Sequence, residues 1–102
     1  KNMSTKPEVR FELGQVVSTP GALEALQRNK INGLEFLHRH VSGDWGIVCQ
    51  EDKLANDMAL KTGARLLSAY FLPDETILWL ITEAEDGNGN RQATTFLLPE
   101  EY

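Results

Sequence analysis

The sequence predicts an α+β domain of order β-α-α-α-β-β-β, its helices packed on a mostly antiparallel sheet that ends in a three-stranded meander. Three observations predict it. Apolar residues alternate with period two near the start. Three stretches of helical periodicity with recognisable end signals follow. From position 64 onward, apolar runs are separated by turn-forming residues.

Val9, Phe11, Leu13 and Val17 share a parity, while Arg10 and Glu12 fall on the other side. The spacing predicts a strand over Val9 to Val17, with Gly14 at a bulge. Thr19-Pro20 opens the first helix: the threonine can cap free amides, and proline fits the first helical turn. Ala22, Leu23, Ala25 and Leu26 form its apolar side, and Asn29 is its expected stop. Asn32 and Glu35 have capping-box spacing, and Ile31 and Phe36 sit at the staple positions. The second helix should run to about His40 and end at Ser42-Gly43. Leu34, Leu37 and Val41 make its expected buried stripe, with Phe36 at the edge. A third helix is expected from about Cys49 to Thr62, with Leu54, Ala55, Met58 and Ala59 inward and Gly63 as its stop. The meander follows as Ala64 to Leu72, Ile77 to Ala84 and Gln92 to Leu98. Pro73 to Thr76 and Asp86 to Asn90 form its turns, and Pro99 ends it.

The chain has 102 residues, enough for one domain. Lys1 to Pro7 reads as a disordered, solvated tail, and residues 8–102 as the domain. Apolar residues are 41% and charged residues 25%, a balance that fits a folded core rather than disorder. No apolar run approaches the ~18 residues of a membrane span, and the start has no signal-peptide core. The single cysteine, Cys49, excludes an internal disulfide and agrees with a reducing, cytoplasmic setting. A buried structural thiol is its expected role. Cys49, His38 and His40 cannot build a tetrahedral site alone, so neither a metal nor a cofactor is expected.

The formal net charge is −5 and is uneven: Asp74 to Tyr102 carries −6 and the rest +1. A phosphate backbone demands lysine and arginine, so nucleic acid is a poor partner for this surface and a basic protein a better one.

Several residues invite a chemical reading. His40, Asp44, Glu51 and Arg65 are the candidate catalytic set, with Asp44 orienting the His40 imidazole. The alternative for Asp44 is a turn cap within Ser42-Gly43-Asp44-Trp45-Gly46, with Trp45 closing the core over the third helix. His38 and His40 are two apart and share no helix face, so one exposed and one structurally hydrogen-bonded histidine is the simpler reading. Glu83 and Arg91 can pair across the last hairpin, and Arg91 beside Thr94 and Thr95 can hold an anion. The strands 64–72 and 77–84 are apolar on both sides, which needs cover on both faces of the sheet. A homodimer through the sheet, anchored by Tyr70 and Trp79, supplies it. Trp45, Tyr70, Trp79, Glu83 and Arg91 are thus the candidate binding residues.

Several blocks extend across nearly the whole chain after Pro7: Phe11 to Val17 with Thr19 to Ala22, His40 to Gly46, Glu51 to Lys53 with Asn56, Leu66 to Tyr70, Leu78-Trp79 with Ile81 to Ala84, and Thr94-Thr95 with Leu97 to Tyr102. They resemble a family of small proteins encoded on bacterial mobile elements and in their hosts. Some members carry a label as a type I restriction subunit. A chain of this length has no room for a methyltransferase domain and shows no glycine-rich cofactor loop. The resemblance implies a mobile-element setting and no particular activity. The expectation is a non-catalytic, protein-binding accessory protein. Two alternatives stand beside it: a small enzyme built on His40 and Asp44, and a relative of the RelE and ParE toxins, whose element order is similar.

Overall fold

The computed structural model describes residues 9–102; the expected tail at Lys1 to Pro7 lies outside the described residues. The order is β1 (Gln15–Ser18), α1 (Pro20–Arg28), α2 (Leu34–Val41), α3 (Gln50–Thr62), β2 (Leu66–Phe71), β3 (Ile77–Thr82) and β4 (Ala93–Leu97), closed by a 3-10 turn, Pro99–Glu101. The expected α+β order is therefore present. β2, β3 and β4 form the antiparallel meander, and β1 joins it in parallel beside β4, giving the spatial order β1-β4-β3-β2.

The first strand is shorter than Val9 to Val17. Residues 9–14 run irregularly, and Phe11 leaves the sheet to pack edge-on against His40, ring centroids 5.1 Å apart. Gly14 explains the break: its φ is +65°, and an added Cβ would meet the Arg91 carbonyl oxygen at 2.4 Å. Only beyond it can β1 settle beside β4.

Thr19 caps α1 by accepting the Ala22 amide at 3.1 Å, and Pro20 opens it. Ala22, Ala25 and Leu26 are buried, whereas Leu23 is exposed. In α2 the cap shifts by one residue. Gly33, at φ +86°, stands at the N-cap, and the Asn32 side chain accepts the Leu34 amide in a short turn rather than a capping box. Phe36, His40 and Val41 consequently face inward, and Leu34 does not.

α3 has the expected bounds, and Ala59 is inward as expected, but the helix is rotated about its axis so that Leu54, Ala55 and Met58 face out. Its buried residues are Asn56 and Ala59, while Leu54 and Met58 are 58% and 59% exposed. The reason is a backbone demand. β2 is an edge strand, and the Asn56 amide both donates to the Leu67 carbonyl (2.7 Å) and accepts the Leu67 N–H (3.0 Å). A polar residue is thus drawn inward to serve strand groups that would otherwise lack partners. Cys49 stands at the N-cap position of α3 without a side-chain capping bond and is exposed, not buried.

The helix-facing side of the sheet carries Leu66, Ser68 and Tyr70 of β2, Leu78, Leu80 and Thr82 of β3, and Thr94 and Phe96 of β4, all buried. Two apolar clusters result. One joins Ala22, Ala25, Leu26 and Phe36 to Tyr70, Leu78, Leu80 and Phe96; the other joins Phe11, Val41, Trp45, Ala59 and Leu66. No helix among the described residues is long and apolar enough to cross a membrane.

Candidate functional site

A polar seam runs between the two clusters. His40 Nδ1 lies 2.5 Å from Ser68 Oγ, His40 Nε2 lies 2.9 Å from Thr82 Oγ1, and Thr82 Oγ1 lies 2.7 Å from Thr94 Oγ1. Thr94 in turn donates to the Leu13 carbonyl at 2.7 Å. Each hydroxyl has one proton, which fixes the direction of the chain. Thr94 gives its proton to Leu13, so Thr82 donates to Thr94. His40 must then donate from Nε2 to Thr82 and accept at Nδ1 from Ser68. This is a neutral imidazole in one tautomer. Burial, reinforced by the positive charge of Arg91, pushes its pKa down to about 3. The arrangement superficially resembles a serine–histidine pair. Yet His40 and Ser68 are both fully buried, and both ring nitrogens are occupied.

The candidate catalytic residues do not meet. Asp44 pairs with Arg39 at 2.7 Å and caps Gly46 N–H at 3.1 Å, the turn role, and makes no bond to His40. The Arg39 guanidinium holds the Asp44 carboxyl below its usual range. Glu51 is exposed in the first turn of α3. Arg65 lies 5.8 Å from the Tyr102 ring centroid, on the sheet face away from the helices. His38 is exposed, as the spacing suggested.

Three candidate binding residues are internal. Trp45 is buried and donates Nε1–H to Asp57. Tyr70 points toward the helices and donates its hydroxyl to the Asp44 carbonyl, so it cannot anchor an interface on the other face. Burial raises its pKa above the ordinary phenol value. Arg91 does not bind the Glu83 carboxylate. It is buried, and its guanidinium donates to the carbonyls of Ala64 (2.7 Å), Glu83 (3.0 Å) and Ala59 (3.1 Å). Ala59 lies in the last turn of α3, where carbonyl oxygens collect negative potential. The arginine thus ties a helix end to the sheet and is closed to an external anion, while Glu83 remains exposed.

Trp79 is placed differently. By register it shares the face opposite the helices with Leu67, Ala69 and Phe71 of β2, Ile77 and Ile81 of β3, Thr95 and Leu97 of β4, and Val17 of β1. Among the described residues, the segment after β4 returns over this face. Leu98 N–H and Thr19 Oγ1 donate to Glu101 Oε1, and Gly21 N–H to Oε2. Tyr102 then meets Trp79 edge-on at 5.7 Å. Phe71 and Tyr102 stay 56% and 73% exposed. Tyr102 escaped sequence reasoning because nothing in its local pattern reports a contact with a strand twenty residues earlier.

Two open clefts lie on the described surface. One, of about 530 Å³, lies at Arg10, Ser42, Asp57 and Lys61; the other, of about 410 Å³, at Asp52, Asn56, Arg65 and Leu67. The Ser42 hydroxyl in the first donates to the Arg39 carbonyl at 2.9 Å rather than to a base. Among the described residues, no three histidine, cysteine or carboxylate side chains converge as a metal site. Comparison with protein-family models, curated proteins and solved structures found no match.

Proposed function

We propose that the protein acts without catalysis, through protein contacts, and that two copies associate at the sheet face away from the helices. The observation that carries this reading is one-sided cover. The helix-facing side of the sheet is fully buried, while Phe71, Ile77, Trp79, Ile81 and Tyr102 form an apolar surface on the other. Four strands of four to six residues span roughly 350 Å² in plan, the size of the largest apolar patch on many monomers and often a functional one. The ~800 Å² per partner of a standard interface is larger, so association is expected at micromolar concentration. A role as an accessory protein of a mobile element follows from the sequence resemblance and agrees with this reading. No geometry favours the enzyme, since His40 is enclosed, and the acidic balance disfavours a nuclease.

Light scattering from 1 to 200 µM is the test. A mass rising from one chain to two, returned to one by Phe71→Glu, supports the reading. A constant single-chain mass throughout overturns it.

A further inference from the structure

The two edges of the sheet are treated differently. On β2, the outward backbone groups are closed at Leu67 by the Asn56 side chain and at Ala69 by the Trp45 carbonyl and the Ile47 amide, at 3.1 and 2.8 Å. On β1 the parity is set by Gln15 N–H to the Gln92 carbonyl and Thr19 N–H to the Phe96 carbonyl. Val16 and Ser18 therefore turn their amides and carbonyls outward, where no partner stands among the described residues. Edge strands are commonly protected by shortness, lysine, proline or a bulge; Gln15-Val16-Val17-Ser18 has only its four-residue length.

We propose that the outer edge of β1 docks an extended, lysine- or arginine-bearing strand of a partner protein, added to the sheet through backbone hydrogen bonds. Charge selects this occupant. From Phe11 to Gln27 the chain carries Glu12 and Glu24 and no lysine or arginine. The Glu101 carboxylate sits at the far end of β1, against Thr19 and Gly21. A second copy laid antiparallel on β1 would set Glu12 of one chain near Glu101 of the other, and like charges oppose it. A basic strand meets negative charge at both ends, from Glu12, whose Oε1 accepts the Arg91 N–H at 3.0 Å, and from Glu101, which accepts from Thr19, Gly21 and Leu98. The backbone supplies affinity and the flanking charges supply selectivity. This site is separate from the sheet face and does not depend on self-association there.

The test titrates ¹⁵N-labelled protein with a nine-residue peptide alternating valine and lysine, and with its glutamate counterpart. The lysine peptide should bind saturably below millimolar concentration and slow hydrogen exchange at Val16 and Ser18 at least tenfold. The glutamate peptide should bind at least tenfold more weakly. Val16→Pro removes only an outward N–H and should abolish binding with little change in thermal unfolding. N-methylation of the peptide along one edge should do the same with the protein untouched. Three results would overturn the proposal: no saturable binding, binding that leaves Val16 and Ser18 unprotected, or concentration-dependent protection of both amides without peptide, which would make a second copy the occupant.

Discussion

The two faces of this sheet are built from the same strands, yet they answer to different constraints. The helix-facing side holds Ser68, Thr82 and Thr94 among large apolar residues, and its polar atoms are tied into one directed chain through His40. The other side holds almost only apolar residues and is only partly covered. The strands' buried polar groups therefore lie on the helix-facing side within the apolar core, while part of the apolar surface on the other side, at Phe71 and Ile77, stays in contact with water. The inward polar groups are tolerable because every one is paired; no buried side-chain nitrogen or oxygen among the described residues lacks a partner. The outward apolar groups contribute little to folding while exposed, so their value lies in contact with something else. Substitutions on the first face should change stability, and those on the second should change association.

The largest expected effect is at His40. His40→Leu removes the donor to Thr82 and the acceptor for Ser68, leaving buried hydroxyls unpaired in a site shaped for a ring. A loss of about 3 kcal/mol is expected from the stranded groups and the imperfect fit. Urea unfolding monitored by tryptophan fluorescence checks it. A loss below ~1 kcal/mol would mean that the seam is not what unites the two clusters.

Acid should produce a comparable loss through the same residue. The folded-state pKa of His40 is about 3, below the ordinary 6.5. Between these values the unfolded chain binds a proton that the fold refuses, so stability falls as pH falls. The slope approaches about 1.4 kcal/mol per pH unit below 6.5, a loss of roughly 3 kcal/mol by pH 4. Carboxylates held low by their partners, including Asp44 and Glu101, begin to lose their contributions once the unfolded chain protonates in the ordinary carboxylate range, from about pH 5 downward. Unfolding curves from about pH 7 to 5 therefore report chiefly the histidine, and His40→Leu should flatten them. An unchanged slope in that variant would assign the acid sensitivity elsewhere.

Much of this contrast was legible in the sequence. Helix bounds followed from local chemistry at Thr19-Pro20 and Gly63, and the meander from Pro73 and Asp86 to Asn90. The two-faced apolar character of β2 and β3 was plain from parity alone. Side-chain orientation was not, because it is decided by partners distant in the chain. Asn56 turns inward to serve Leu67, eleven residues on, and displaces Leu54 and Met58 outward. Arg91 reaches the end of α3 rather than the nearby Glu83 carboxylate. Tyr70 and Trp79 looked equivalent as aromatic strand residues, yet parity puts them on opposite faces.

A smaller effect is expected at the junction of face and edge. Asn56→Ala strips the side chain from the Leu67 amide and carbonyl, at a cost of about 2 kcal/mol. It also opens the β2 edge to pairing between chains. Lower thermal stability together with aggregation on heating is the expected outcome. Stability loss with fully reversible unfolding would show that the Asn56 cap serves the fold alone.

Trp79→Ser sharpens the comparison most, because stability and association should separate. Trp79 is half-buried, and its principal ring contact is the edge of Tyr102. Truncation removes that pairing, worth about 1 kcal/mol, without stranding a polar group inside. The fold should therefore persist with a stability loss of about 2 kcal/mol, the ring pairing adding to the transfer of the area the chain already covers. Association should weaken at least tenfold, because a central aromatic carries a disproportionate share of an interface. Urea unfolding and light scattering on the same sample read the two quantities together. A stability loss as large as that of His40→Leu would place Trp79 within the folded core. Unchanged association would mean that the exposed face, apolar as it is, is not where two chains meet.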